Sequence, residues 1–216
     1  MAKRRKTPRI YVLAGVNGAG KSSIGGAMFA QAGQEFFNPD LVAKELLLAS
    51  AGITQEEANA RAWQEGRRLL ELAITTGQDF AFETTLGGDT ITGLLEQGAN
   101  GGSEVRVWYV GLESVEKHIE RVRRRVAQGG HDIPEARIRE RYDRSRWNLV
   151  HLLPQLSELK LFDNTAECDV QAGRWPKPKL LMHWRGGKIA RCFSLHGMPQ
   201  WARPIVQGAI DLMARS

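Results

Sequence analysis

The stretch Gly15-Val16-Asn17-Gly18-Ala19-Gly20-Lys21-Ser22 constrains the fold more tightly than anything else in this chain. It is a complete G-x-x-x-x-G-K-S pattern, and such a loop has meaning only where a strand enters it and a helix leaves it. Both are present. Ile10-Tyr11-Val12-Leu13-Ala14 is a short apolar, β-rich run of the kind expected for a buried parallel strand. Ser23 to Ala30 can continue as a helix, although Gly25 and Gly26 weaken it. Glycines without Cβ atoms let backbone N–H groups point into one concavity and hold phosphate oxygens. The helix that follows adds the positive end of its dipole. The pattern therefore assigns Asn17, Gly18, Ala19, Gly20, Lys21, Ser22 and Ser23 to a nucleoside triphosphate, with Lys21 on the β- and γ-phosphates and the Ser22 hydroxyl on Mg²⁺.

Open parallel sheets collect ligands at the carboxyl ends of their strands, so each strand end is a candidate position. Gln34 to Asp40 suggests a short second strand through Phe36-Phe37, ended by Pro39, which cannot donate to a ladder. Asp40 then stands at the ligand edge, as a catalytic carboxylate or as the N-cap of the helix Leu41 to Ala49. Thr54-Gln55-Glu56-Glu57 is a capping box. It opens a helix with Ala58, Ala62, Leu69, Leu72 and Ala73 on apolar positions, and Gly77 stops it. Asp79 to Thr85 is the third strand; it ends in Glu83, Thr84 and Thr85, with Glu83 placed to hold Mg²⁺ through water or to bind a substrate hydroxyl. Asp89 is expected to cap a helix to about Glu96, followed by a loop over Gly98 to Gly102. Val105 to Val110 and Leu159 to Asn164 are the fourth and fifth strands.

Between those last two strands lie two helical patterns. Ser114 opens the first, in which Val115, Ile119, Val122 and Val126 repeat at helical spacing. Pro134 and Glu135 open the second, after the turn Gln128-Gly129-Gly130-His131. Ile138, Tyr142, Ser145 and Leu149 form one stripe of it, and Arg137, Arg141, Arg144 and Asn148 the neighbouring stripe. Two arginine-bearing helices joined by a Gly-Gly turn suggest a lid that closes over a triphosphate and supplies cations where charge moves in the transition state. A solvated helix pair, with Glu113, Glu116, Glu120 and Glu140 as ion-pair partners, accounts for the same pattern.

The chain of 216 residues suits one domain with a small insertion. The expected division is a basic flexible tail over 1–8, a core over 9–165 carrying the lid at about 114–150, and a β-hairpin plus closing helix over 166–216 packed on the core. Cys168 and Cys192 lack C-x-x-C spacing, which fits a reducing cytoplasm with structural thiols. No apolar run approaches the ~20 residues that span a bilayer, so no membrane partner is expected. Part of the net charge of +6 lies in Lys3-Arg4-Arg5-Lys6, a solvated tail that could also touch nucleic acid non-specifically.

Taken together, several blocks resemble the zeta toxin family. They are Gly-Val-Asn-Gly-Ala-Gly-Lys-Ser at 15–22, Asn-Pro-Asp at 38–40, Phe-Glu-Thr-Thr-Leu at 82–86, Arg-Val-Ala-Gln-Gly-Gly-His-Asp-Ile-Pro-Glu at 125–135 and Arg-Tyr-Asp-Arg-Ser at 141–145. More narrowly they resemble its chromosomal branch, often labelled a predicted ABC-type ATPase. The resemblance covers residues from about 9 to 165. It implies an α/β, P-loop kinase-like three-layer fold with a mainly parallel five-stranded sheet in the order 2-3-1-4-5. It also implies transfer of the ATP γ-phosphate to a hydroxyl of UDP-N-acetylglucosamine, and an antitoxin protein as partner. Carried over by position, Lys21 and Ser22 hold phosphate and Mg²⁺, and Asp40 resembles the family's general base. Glu83 and Thr84 resemble its acidic strand-end motif near the sugar nucleotide, and Arg125, Arg141 and Arg144 its lid cations. The spacing of the lid arginines, the Gly-Gly-His turn and the hairpin after residue 178 depart from the plasmid-borne toxins, which bears on the acceptor more than on the reaction type. The ABC label finds no LSGGQ-type signature, and a GTPase reading finds no Asn-Lys-x-Asp motif. Kinases for another acceptor, such as an antibiotic or a nucleic-acid end, and a non-catalytic ATP-binding module are the competing readings.

Overall fold

The computed structural model describes residues 6–21, 24–26, 29, 36–50, 52–166 and 178–215. Six strands form one sheet: β1 (Arg9–Ala14), β2 (Phe80–Thr84), β3 (Glu104–Gly111), β4 (Glu158–Asp163), β5 (Lys179–Arg185) and β6 (Lys188–Cys192). Their order is β2-β1-β3-β4-β5-β6. The first four are parallel, and β5 and β6 join antiparallel at one edge. The helices are α1 (Pro39–Ala49), α2 (Gln55–Thr76), α3 (Asp89–Asn100), α4 (Val115–Ala127), α5 (Glu135–Leu152) and α6 (Arg203–Arg215). Lys21, Ile24 to Gly26 and Phe29 have helical backbone after the P-loop.

Alternating side chains give each strand two faces. Ile10, Val12, Val107, Tyr109, Leu159 and Leu161 point to one face, where Leu70 of α2, Leu95 of α3, Leu149 of α5 and Ile205 of α6 cover them. Tyr11, Leu13, Trp108 and Val110 point to the other, where Phe29 and Ile24 pack. Gly25 lets the P-loop helix lie that close, since a Cβ there would come 2.3 Å from Leu13 Cδ2. The residue that weakens the helix locally is thus what allows it to dock.

The expected order of parallel strands is present, with two differences. The second strand shrinks to one bridge, Phe37 to Phe82, held by Phe37 N–H to the Ala81 carbonyl (2.8 Å) and Glu83 N–H to the Phe37 carbonyl (2.9 Å). The hairpin, expected to pack on the core, does so by extending the sheet to six strands, because Met182 and Trp184 bury on the same face as Leu161 and Leu159. Its turn is Gly186-Gly187 with φ of +57° and +79°, the two left-handed residues that a tight hairpin requires.

Local corrections have local causes. Asn38, not Asp40, caps α1: its Oδ1 accepts from the N–H of Asp40 and of Leu41, with Pro39 in the first helical turn. Gly88 precedes α3, so Asp89 lies inside the helix, which runs on through Gly98 to Asn100. The Thr54 capping box and the left-handed Gly77 bound α2 as expected, but its buried stripe is Ala58, Ala62, Gly66, Leu70 and Ala73. Leu72 is left exposed and Leu69 half-buried. The closing helix, which the sequence places over Pro199 to Arg215, begins at Arg203 after a 3₁₀ turn at Gln200–Ala202. Lys6 is tied to Asp79 (2.7 Å), so the described end of the basic tail is anchored. Cys192 is exposed on the edge strand rather than packed inside, and Cys168 lies outside the described residues. Among the described residues no helix is long and apolar enough to cross a membrane.

Candidate active site

The P-loop leaves β1 at the carboxyl edge of the sheet and is clamped from three sides. A Cβ on Gly15 would lie 2.2 Å from the Val110 carbonyl oxygen, one on Gly18 2.5 Å from that of His118, and one on Gly20 2.6 Å from Asn164 Nδ2. All three have positive φ, so neither the backbone nor the space admits a side chain. The loop is fixed further by Asn164 Nδ2 donating to the Ala19 carbonyl (2.8 Å) and by His118 Nδ1 meeting the Asn17 carbonyl at 2.8 Å. Burial pushes the His118 imidazole down to about 4, so near neutral pH it is uncharged and donates that bond. The cradle therefore fits a phosphate chain. Ser22 and Ser23, expected on Mg²⁺ and phosphate, lie outside the described residues.

Lys21 is buried, and its Nζ stands 3.6 Å from Glu83 Oε1. Glu83 is buried too, at 6% exposure, and its other oxygen accepts from Asn38 Nδ2 at 3.1 Å. The strand-end glutamate is thus not a solvated surface group. It pairs with the P-loop lysine and, through Asn38, with the cap of α1. Asp40 is exposed one residue beyond Pro39. It lies near enough to Arg141 for its charge to favour the protonated guanidinium. Lys21, Glu83, Asn38 and Asp40 therefore come together at the edge where β1 and β2 end.

The two helices expected to form a lid are present, and Val16 of the P-loop packs beneath them against Ile119, Val122 and Ile138. Their joining turn reaches across the site, where His131 Nε2 meets Asn59 Nδ2 of α2 at 3.4 Å. The three expected lid cations part company. Arg141 Nη1 donates to Asn17 Oδ1 at 2.8 Å, directly on the P-loop. Burial, then the like charge of Arg137, lowers its affinity for the proton, and Asp40 and Glu140 oppose this. Arg125 instead donates to the His131 carbonyl (2.7 Å) and holds the turn together. Arg144 forms ion pairs with Glu140 (3.2 Å) and Asp89 (2.9 Å), tying α5 to α3. A backbone carbonyl takes up Arg125 and opposite charge on the neighbouring surface takes up Arg144, so of the three Arg141 is the one on the phosphate cradle.

Thr84 and Thr85 open a tight loop at the same edge. Thr84 Oγ1 accepts from Leu86 N–H (3.1 Å), and Leu86 has φ of +56° with its side chain fully buried. A buried non-glycine residue held there signals a backbone whose surroundings over-determine it. Those surroundings come from α5. Ser145 Oγ donates to the Thr85 carbonyl (2.6 Å) and sits 2.9 Å from the Tyr109 hydroxyl, whose pKa burial pushes up to about 12. Asn148 Nδ2 donates to the Leu86 carbonyl at 2.9 Å. Arg121 spans toward the strand after the lid, donating to the carbonyls of Thr165 (3.3 Å) and Ala166 (3.2 Å).

Sequence reasoning did not select Asn38, His118, Ser145, Asn148 and Asn164 for the site. Asn38 and Ser145 stand inside the quoted Asn-Pro-Asp and Arg-Tyr-Asp-Arg-Ser blocks, and Asn164 at a strand end, so each carried a signal of position. His118 carried none, since a histidine on an apolar helical stripe looks like core.

The sequence model of the family described as Zeta toxin matches residues 1–167. An uncharacterized protein of Haemophilus influenzae (strain ATCC 51907 / DSM 11121 / KW20 / Rd) is 30% identical over 129 residues, covering 59% of this chain and 88% of that protein. The crystal structure of AvrRxo1-ORF1:-ORF2 with ATP is similar in fold, with a TM-score of 0.64 at 14% identity. That match covers 95% of this chain and 64% of the other, so the chain spans less than two thirds of that relative. The PezAT chromosomal toxin–antitoxin system of Streptococcus pneumoniae gives a TM-score of 0.57 at 14% identity, covering 99% of this chain and 88% of the other.

Proposed function

This chain belongs to the zeta toxin family, and from that premise we propose that it transfers the γ-phosphate of ATP to a hydroxyl of UDP-N-acetylglucosamine or a related sugar nucleotide. The observation that carries the reading is Arg141. It is a partly buried cation that forms no direct salt bridge among the described residues, with Asp40 and Glu140 acting on it only at longer range, seated on Asn17 of a loop shaped for phosphates. A cation that makes no direct ion pair among the described residues, beside a phosphate cradle, is arranged for an anion that arrives later.

In this reading the P-loop N–H groups hold the β- and γ-phosphates, and Lys21 and Arg141 flank the transferred group. Lys21 leaves Glu83 only by a small movement, so the carboxylate keeps the lysine in place before substrate enters. Mg²⁺, held by Ser22 and by Glu83 directly or through water, would neutralise charge on the phosphate oxygens. Asp40 is the base. Asn38 already caps α1, so the Asp40 carboxylate is not consumed by the helix and stands exposed at the ligand edge. The acceptor oxygen forms its bond to the γ-phosphorus as the bond to the β-phosphate oxygen breaks, and its proton passes to Asp40. Such a transfer needs in-line positioning more than a strong base. Glu83 and Thr84 are placed beside the sugar nucleotide. Arg125 and Arg144 act one step back, shaping the lid turn and fixing α5. The division into a core over 9–165 and a C-terminal unit over 166–216 belongs to the same proposal, with catalysis confined to the core. An antitoxin is the proposed protein partner, since the PezAT relative is a toxin–antitoxin system.

The test is ADP release by the purified chain with ATP and Mg²⁺, with and without UDP-N-acetylglucosamine, followed by mass spectrometry of the sugar nucleotide. Acceptor-dependent ADP and a product heavier by one phosphate are expected. ATP turnover that ignores the acceptor, with no phosphorylated product in a cell extract either, would defeat the proposal.

A further inference from the structure

Charge is distributed very unevenly along this chain. From residue 178 to 215 there are Lys179, Arg185, Lys188, Arg191, Arg203 and Arg215 against Asp211 alone, so this segment carries +5 of the net +6. It also lies beyond the residues that the family model matches.

The fold gathers much of this charge on one surface. Residues directly opposite each other in adjacent strands share a face. Arg106 is opposite Glu158, Glu158 opposite Arg185, and Arg185 opposite Lys188. Lys160 is opposite His183, and His183 opposite Arg191. All seven therefore lie on the face opposite Leu159, Leu161 and Trp184, which α5 and α6 cover. On the basic face Trp108 and Val110 of β3 lie under the P-loop helix with Phe162 of β4 at its margin, while Arg185, Lys188 and Arg191 are exposed.

The carboxylates on this face are already engaged. Glu158 holds His183 (2.7 Å) and Lys160 (3.7 Å), and Glu104 holds Arg106 (2.6 Å) and Arg9 (3.3 Å). Arg185, Lys188 and Arg191 have no ion-pair partner among the described residues. Charged edges discourage strand pairing between proteins, which accounts for a lysine or arginine on β6. It does not account for Arg185 on the inner strand, or for a whole face whose acids are all neutralised.

We infer that this basic face, centred on Arg185, Lys188 and Arg191, binds the phosphate backbone of a nucleic acid. Two features favour phosphates over an acidic protein. The edge of β6 is a poor template for an added peptide strand, because its register breaks between His183 and Trp184 and the Ile189 N–H turns to Met213 Sδ. Among the described residues the face around the cations is polar, without the apolar anchor pocket that protein interfaces use. Two of the three free cations are arginines, whose planar fork matches phosphate oxygens. From Lys188 to Arg191 the ribbon spans about 10 Å at roughly 3.3 Å per residue. Three unpaired cations over that span can neutralise about three phosphates. The Gly186-Gly187 turn lies at the amino end of β4, the opposite end of the sheet from the P-loop. The bound strand is therefore held away from the phosphate cradle and is not its acceptor.

Fluorescence anisotropy of the full chain with a short labelled single-stranded RNA, a duplex DNA and a labelled poly-glutamate tests this. Binding of a nucleic acid is expected, weakening by roughly 20-fold (single strand) to 40-fold (duplex) between about 50 and about 200 mM salt, as three displaced counterions require. The larger slope on the duplex, or its absence, says which form is held. The triple variant Arg185→Gln, Lys188→Gln, Arg191→Gln should bind at least about 10-fold more weakly at the lower salt and lose most of the slope, with melting temperature and ATP turnover unchanged. Equal binding by variant and wild type, binding of neither nucleic acid, or preference for poly-glutamate would each overturn the inference.

Discussion

Replacing Arg141 by Ala separates a catalytic cation from a structural one. In the structure the guanidinium makes one hydrogen bond, to Asn17 Oδ1 at 2.8 Å, and forms no ion pair among the described residues. A hydrogen bond to a charged group contributes about 1.5–3 kcal/mol. Against it stand the desolvation of the cation and the repulsion from Arg137, which together lower the Arg141 pKa. These oppose one another, so Arg141→Ala should move stability by no more than about 1 kcal/mol, a few degrees in melting temperature for a domain of this size. Catalysis should respond differently. Loss of one preorganised contact to developing charge costs about 10²–10³ in kcat, or about 2.7–4 kcal/mol. The KM for ATP should rise far less, because the contact strengthens as the γ-phosphoryl group leaves. Arg141→Lys should recover part of the rate, since a point charge remains but cannot meet Asn17 and phosphate together. The assay is steady-state phosphoryl transfer beside a thermal melt. Near wild-type kcat in Arg141→Ala, or a rate loss that only tracks unfolding, would refute the reasoning.

Three further outcomes follow from the geometry. Asp40→Asn should leave the melting temperature and ATP affinity unchanged, since Asn38 caps α1, while acceptor phosphorylation falls by about 10²-fold; normal phosphorylation would remove Asp40 as the base. Lys21→Met should abolish transfer and also destabilise by about 2–3 kcal/mol, measured by denaturant unfolding, because Glu83 stays buried with Asn38 but without its lysine. For His118 the folded pKa of about 4 lies below its ordinary 6.5, so the unfolded chain binds the extra proton between those values. The stability it contributes is complete above about pH 6.5 and is lost as pH falls toward 4, about 3 kcal/mol in all; unfolding curves at both ends of that window should show the loss in wild type and not in His118→Gln.

The P-loop, the core strands and the two helices of the lid were legible because each rests on local pattern: glycine spacing, apolar runs and caps; the order of the parallel strands came only from the resemblance to the family. The Glu83 carboxylate was legible as a strand-end group but not as a buried one, because burial depends on Phe37 and Asn38 arriving from another segment. The arginine stripe shows the limit most clearly. Arg137, Arg141 and Arg144 look alike in sequence, and what sets two of them apart comes from distant segments: Asp89 reaches Arg144, and Asn17 of the P-loop reaches Arg141. The hairpin was visible as two strands around Gly-Gly, whereas its addition to the sheet depended on Trp184 finding Leu159.

The contacts of α5 also change what the lid can do. Its stripe touches the phosphate loop through Arg141, the loop after β2 through Ser145 and Asn148, and α3 through Arg144. A rigid-body swing of α5 would break all of these together and release the buried Tyr109 hydroxyl and the left-handed Leu86 from their partners. Each broken bond to a buried group costs about 1–3 kcal/mol, so the sum is too large for a motion repeated every turnover. The tip is held more lightly, by Arg125 on the His131 carbonyl and His131 on Asn59. We expect any opening to be confined to the Gly129-Gly130-His131 turn and the helix ends beside it, where Gly129 has a φ of +84°. A site that opens at its tip and keeps Arg141 fixed loses less ordering entropy when substrate binds than one that must assemble its cation each time.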